Sequence, residues 1–265
     1  MAGARRAAAL GDRGGLLRID LNADVGEGYD DRSLMPFLTS VNVACGGHAG
    51  DARSMADTVA AAYRLGLVIG AHPSYPDREH FGRREIVLPP AELEASIVDQ
   101  IAALERVAKV EGARLDHVKP HGALYNRAAR DLELARVVAR AVRAVSSRLK
   151  VVGLCGSALL EAAREIGLPA LAEAFADRRY AADGSLAPRT LAGSLIEDPA
   201  EAADQALHIV QQGELVSIDG ARVALSADTL CVHSDTPGAS AIARAVRERL
   251  REAGVEVVAH PSSGQ

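Results

Sequence analysis

Four histidines, His48, His72, His121 and His233, each follow a short apolar run, and a fifth run, beginning at Ile19, ends in the acidic cluster I-D-L-N-A-D-V-G-E. Imidazoles and carboxylates move protons near neutral pH and ligate transition metals. Lys119, two residues before His121 in V-K-P-H, adds a cation at the end of another run. A lysine aimed into a barrel is costly unless an acid or an anionic ligand meets it, and Asp24 and Asp20 are the acids that the sequence offers. Asp24, His48, His72, His121 and His233 could together supply metal ligands. The chain has no HExxH and no closely spaced histidine pair, so a metal stays open at this level. Gly46, Gly47 and Gly50 could cradle an anion, but neither a P-loop nor a G-x-S-x-G elbow is present.

Positioning these groups requires strands that end at one place. In the opening stretch Asp20, Asn22 and Asp24 share one face, while Ile19, Leu21 and Ala23 share the other. Further strands are expected at Ser40 to Cys45, Leu67 to Ala71, Leu115 to Lys119, Lys150 to Leu154, Ala170 to Phe175, Thr229 to His233 and Val255 to Val258. Helices are expected between them, over Ala52 to Leu65, Pro89 to Glu111, Asp131 to Ser146, Ser157 to Ile166, Pro199 to Gln212 and Ala239 to Ala253, with a shorter one within Asp30 to Phe37. Asp219-Gly220 marks a hairpin inside Leu215 to Leu225. Residues 73 to 88 read as a lid or binding loop, and 181 to 194 as an excursion.

Alternating strands and helices imply a parallel sheet with helices outside. Polar clusters at the ends of at least five strands favour a TIM-like barrel, incomplete or distorted, over a doubly wound sheet with one switch point. One such α/β domain is expected over residues 16 to 265, with residues 1 to 15 as a disordered extension.

The composition agrees with an aliphatic core: 48% of the 265 residues are hydrophobic, only 3% are aromatic and none is Trp. A formal charge of -5 and a pI near 5.9 give no electrostatic reason to expect nucleic acid or an anionic membrane. No apolar run is long enough for a transmembrane helix. Cys45, Cys155 and Cys231 form no CxxC and leave an odd number, which suits a reducing, cytoplasmic setting with inert buried thiols.

Seven stretches in order, I-D-L-N-A-D-V-G-E, V-N-V-A-C-G-G-H-A-G-D, I-G-A-H-P-S-Y-P-D, F-G-R-R, V-K-P-H-G-A-L-Y-N, A-F-A-D-R-R-Y and C-V-H-S-D-T-P, resemble the LamB/YcsF family of bacterial 5-oxoprolinase A subunits. The likeness covers about residues 17 to 255. His80 and Ser234 depart from the family's pattern at two positions where it usually has glycine. The resemblance implies a seven-stranded barrel of the glycoside hydrolase/deacetylase type. It also implies opening of 5-oxoproline to L-glutamate with ATP and magnesium, in a complex with subunits B and C. On that basis Asp24 or His121 is expected as base and Lys119 as the group neutralising phosphate or oxyanion charge, so that Lys119→Ala loses turnover while staying folded. His48, His72 and His233 would position groups or donate protons. Arg83 or Arg178 would hold the substrate carboxylate, and Asn22, Asn42, Tyr125 and Asp235 complete the substrate-binding set. Two alternatives stand beside this: a metal-dependent amide hydrolase or deacetylase without ATP, and a non-catalytic lactam-binding subunit. Homo-oligomerisation is left open.

Overall fold

In the computed structural model, which describes residues 16–260, the acidic stretch forms the first strand, β1 (Arg18–Val25). Ile19, Leu21, Ala23 and Val25 enter the apolar layer under the helices, and Asp20, Asn22 and Asp24 are buried on the opposite face. A strand buried on both faces, one of them polar, fits the wall of a closed barrel. After it come the single turn α1 (Asp31–Leu34), a 3-10 turn (Met35–Phe37), β2 (Ser40–Ala44), α2 (Ala52–Arg64), β3 (Val68–His72), the long α3 (Pro90–Val110) and β4 (Leu115–Val118). The chain continues with α4 (Gly122–Ala128), α5 (Leu132–Val145), β5 (Lys150–Leu154), α6 (Ala158–Glu165), β6 (Ala170–Phe175) and α7 (Pro199–Gln212). An antiparallel hairpin of β7 (Glu214–Val216) and β8 (Arg222–Ala224) precedes β9 (Thr229–Cys231), α8 (Ala239–Glu252) and β10 (Glu256–Val257).

Seven parallel strands close in the order β1-β2-β3-β4-β5-β6-β9, with β9 returning to β1 through Asp20–Asn22 opposite Thr229–Cys231. The expected barrel is therefore complete as a closed ring. β10 pairs only with Arg18 and Ile19, so the terminal strand lies beside the ring and does not join its closure. Residues 1 to 15, where a disordered extension was expected, lie outside the described residues.

Local chemistry sets the helix ends. Asp51 accepts from the Ser54 backbone N–H at 2.8 Å while Ser54 Oγ accepts from the Asp51 N–H, a reciprocal cap for α2. Asp131 and Asp198 cap α5 and α7 by accepting from the Leu134 and Glu201 N–H groups, and α7 stops at Gly213, which is left-handed at φ 66. Helix α4 was not anticipated. It starts at Gly122, and the Ala123 N–H donates to the Gly82 carbonyl at 3.0 Å, tying the helix to the 73–88 loop. Among the described residues no helix is long and apolar enough to cross a membrane.

A polar network runs through the ring's interior. Asp20 accepts from the hydroxyls of Thr39, Ser40 and Thr229 at 2.5–2.7 Å, near the strand N-termini. Above it, Asn42 Nδ2 donates to Asn22 Oδ1 at 2.8 Å, and His117 Nε2 meets Asn42 Oδ1 at 2.8 Å. Gly70 makes room for that imidazole: a Cβ there would stand 2.1 Å from His117 Nε2. Asp20 thus serves the barrel's base and is not the partner of Lys119 that the sequence offered.

Candidate active site

Lys119, 2% exposed, stands at the C-terminal mouth of the ring. Its ammonium lies 3.0 Å from Asp24 Oδ1, 2.8 Å from Glu173 Oε1 and 3.2 Å from Cys231 Sγ, so all three of its donors are taken. The rings of Phe175 and Tyr125 lie 5.3 and 5.9 Å from the same nitrogen. Burial opposes the charge, but the nearby acids, Asp24 first, outweigh it and raise the Lys119 pKa well above the usual lysine value. Asp24 is also buried, yet His72 and Lys119 hold its carboxyl well below its ordinary value.

Glu173 is fully buried and accepts at Oε1 from Lys119 and Asn22 and at Oε2 from the Tyr125 hydroxyl, 2.8 Å away. Lys119, Asn22 and the Tyr125 hydroxyl thus occupy both of its oxygens. Asn22, Asn42 and Tyr125, expected at the substrate, instead spend their polar groups on Asp24, Glu173 and each other. They position the acids.

A second cluster adjoins the first. Glu27 Oε1 lies 2.7 Å from His48 Nε2, 3.2 Å from His121 Nδ1 and 3.7 Å from His72 Nε2. His48 and His121 stack with ring centres 3.7 Å apart, and Asp24 Oδ2 is 3.3 Å from His72 Nε2. Burial pushes His48 down to about 4 and lowers His121, whereas for His72 the attraction of Asp24 overcomes burial and raises it. The chemistry of this donor set, three imidazoles and a carboxylate, is that of a group able to hold a metal ion.

The loop over residues 73–88 closes over these rings. Phe81, left-handed at φ 55, packs its ring 5.2 Å from His48 and 5.4 Å from His121. Strain of that kind in a non-glycine residue gathers at functional sites. Arg83 covers Phe81 and pairs with Asp235 Oδ2, to which Arg189 from the 181–194 excursion also donates, at 2.8 Å. Arg178 is buried but turns to the same excursion, donating to the Ala187 carbonyl at 2.6 Å with its Nε unpartnered.

His233 stacks on Phe175, ring centres 5.0 Å apart, beside Lys119. Its Nδ1 lies 3.0 and 3.2 Å from the two oxygens of buried Asp177, which also accepts from Thr236 Oγ1 at 2.7 Å. Burial would raise the Asp177 carboxyl, but His233 and Thr236 keep it below its usual value. The carboxylate fixes the ring so that Nε2 faces away from it, the arrangement of an oriented proton carrier.

The structure thus brings together Asp24, His48, His72, Lys119 and His121, with His233 alongside, and leaves Arg178 outside the cluster. Glu27, Glu173 and Asp177 are additions. Glu173 had a legible signal, a lone acid inside the apolar strand A-L-A-E-A-F. Glu27 follows left-handed Gly26, beyond the reach of strand alternation, and Asp177 lay in a charged run without a periodicity to place it. The thiols are not all inert bystanders: Cys231 touches the Lys119 ammonium, although burial keeps it protonated. The glycine loop is a packing device: a Cβ on Gly47 would lie 2.3 Å from Gln100 Oε1, and one on Gly50 2.6 Å from the Ala44 carbonyl.

Fold and site together define a closed parallel (β/α) barrel with acid, base and buried-cation chemistry gathered at the C-terminal strand ends, where barrels of this architecture carry their active sites. The chain belongs to the LamB/YcsF family, which it matches over residues 19–264. It is 54% identical over 248 residues to the 5-oxoprolinase A subunit of Chloroflexus aggregans, covering 91% of this chain and 98% of that one. It is 49% identical to the counterpart from Heliobacterium modesticaldum, covering 92% and 98%. The crystal structure of a lactam utilization protein from Thermus thermophilus superposes with a TM-score of 0.87 at 48% identity, covering 92% of this chain and 100% of that one. The catalytic domain of a peptidoglycan N-acetylglucosamine deacetylase from Eubacterium rectale, at 11% identity and a TM-score of 0.51, shares the fold; it covers 95% of this chain and 92% of that domain.

Proposed function

We propose that this chain is the ring-opening component of an ATP-dependent 5-oxoprolinase that converts 5-oxo-L-proline to L-glutamate together with subunits B and C. The observation that carries this reading is the mouth of the barrel, where Asp24, Lys119 and Glu173 adjoin a histidine oriented by Asp177, in a chain whose relatives bear the name of that enzyme's A component.

A lactam carbonyl resists water until its oxygen is activated. Transfer of the ATP γ-phosphoryl group to that oxygen, with magnesium, releases ADP and leaves a ring carbon open to attack. Water then adds, the C–N bond breaks to give an acyl phosphate and a free amine, and a second water releases phosphate and glutamate. In this proposal His233 Nε2 takes the proton of the attacking water and returns it to the leaving nitrogen. Lys119, its donors already occupied, serves as countercharge between Asp24 and Glu173; contact with substrate phosphate would require displacing one of them. Asp24 Oδ2, which faces His72 and not Lys119, is the carboxylate oxygen open to the site. Arg83, on the loop that also carries Phe81, suits the substrate carboxylate better than Arg178.

The Glu27-centred histidine cluster favours one second reading, metal-assisted amide hydrolysis without ATP. Glutamate release from 5-oxoproline separates the two, measured with this chain plus subunits B and C, with and without ATP and then after chelation. Release that needs ATP supports the first reading. ATP-independent release abolished by chelation replaces it with the second.

A further inference from the structure

In the mouth of the barrel two imidazole nitrogens face each other 2.9 Å apart, His72 Nε2 and His121 Nδ1. The opposite nitrogen of each ring meets a backbone carbonyl: His72 Nδ1 lies 2.8 Å from the Lys119 oxygen and His121 Nε2 3.0 Å from the Phe81 oxygen. A carbonyl only accepts, so both of those nitrogens carry the hydrogen. The facing nitrogens of the neutral rings are therefore both lone pairs, and both also look at Glu27 Oε1, a third acceptor. Acceptors this close in a buried site need a positive species among them.

Among the described residues, the acids Asp24, Glu27 and Glu173 outnumber Lys119, the one lysine or arginine in their ion pairs, so the cluster suits a cation.

We propose that Glu27, His48, His72 and His121 bind one divalent transition-metal ion of the zinc class, through Glu27 Oε1, His48 Nε2, His72 Nε2 and His121 Nδ1. These four atoms lie within 4.8 Å of one another. Bonds of about 2.0–2.1 Å would put the donors of a tetrahedral ion roughly 3.3 Å apart, which the separations of 2.7, 2.9, 3.2 and 3.7 Å bracket. Three imidazoles with one carboxylate select zinc, cobalt or iron over magnesium or calcium. The carbonyls behind His72 and His121 are the outer partners that orient metal-bound imidazoles. His48 lacks one, since its Nδ1 is buried without a partner, and it is the weakest of the four ligands. This assignment rests on the geometry of the cluster and not on the oxoprolinase reading.

The test uses the full chain alone, without lactam, ATP or partners. The protein is stripped with a chelator, dialysed, titrated with Zn²⁺, and titrated separately with Co²⁺ as a spectroscopic probe. One tightly held ion per chain is expected, with the intense visible bands of a four-coordinate Co²⁺ site. Glu27→Gln and His121→Ala are expected to weaken Zn²⁺ binding by about 100-fold and His48→Ala by less, while the exposed His208→Ala binds as the parent does. Circular dichroism reports whether each variant folds. Should one fail, ring ¹⁵N shifts of the parent replace it, with His72 Nε2 and His121 Nδ1 moving on Zn²⁺ addition. Substoichiometric metal in the parent, binding unchanged in the variants, or a proton bridging His72 and His121 in Zn²⁺-treated protein would each overturn the proposal. Because the readout is binding, loss of oxoprolinase activity leaves it standing, and failure to bind Zn²⁺ leaves the oxoprolinase reading standing.

Discussion

Replacing Lys119 with methionine keeps the length of its stem and removes the charge that lies between Asp24 and Glu173. Two buried carboxylates would then share a pocket whose remaining donors are Asn22, Asn42 and the Tyr125 hydroxyl. Removing one partner of a buried ion pair costs about 3–5 kcal/mol, because the other charge is left uncompensated. For a chain of this size that corresponds to a fall in Tm of roughly 6–20 °C. Adding Glu173→Gln removes one stranded charge while its amide oxygen still accepts from Asn22 or Tyr125. The double variant should therefore recover about 1–3 kcal/mol relative to additivity. Urea unfolding and calorimetry of the parent, the two single variants and the double give the cycle directly. An unchanged midpoint for Lys119→Met, or strictly additive singles, would refute the countercharge role. The sequence alone led to the expectation that a Lys119 variant loses turnover and stays folded; the geometry predicts that stability falls as well.

Asp177→Asn should lower kcat for glutamate release by about 10³–10⁴, since an amide no longer fixes the His233 tautomer; an unchanged kcat and pH profile would remove His233 from the mechanism. Asp31, which accepts from the Gly26 N–H beside Glu27, offers a pH effect at the edge of the cluster. Burial raises its carboxyl from 3.8 to about 6, so the folded state binds more protons than the unfolded one between those values. Stability therefore falls as pH rises through this window, by about 3 kcal/mol before its partial exposure is discounted and by 1–2 kcal/mol after. Asp31→Asn should raise Tm at pH 8 and have little effect at pH 4, as calorimetry at the two pH values would show. Gly47→Ala drives a methyl into Gln100 Oε1, which accepts from the Ser74 N–H at the root of the 73–88 loop, and should cost about 1–3 kcal/mol in urea unfolding.

The barrel was legible because its signals are local. Apolar runs closed by Pro73, Pro120 or glycine, with Asp51 and Asp131 as caps, mark strand and helix ends without any knowledge of partners. Helix α4 was not, because its start depends on the left-handed Gly122 and on a bond to the distant Gly82 carbonyl. The same division runs through the site. His48, His72, His121 and Asp24 declare themselves by sitting where strands end. Which acid meets Lys119 does not, since Asp20 and Asp24 share a strand face and only the curling of the sheet puts Glu173, two strands along the ring from Lys119, within 2.8 Å of the ammonium. Asn22, Asn42 and Tyr125 look like ligand-binding groups in sequence for a similar reason: their real partners are acids on other strands. His233 becomes a strong candidate for base only once Asp177 is seen beneath it.

That this chain performs the ring opening is tested by substituting His233→Ala into the chain before assembly with subunits B and C. The experiment counts glutamate formed and ADP released from 5-oxoproline. The expected result is an intact complex in which the parent forms glutamate with ATP turnover and the variant forms less than about 1% as much. Glutamate at the parent's rate from an assembled His233→Ala complex would contradict it and move the chemistry to one of the partner chains.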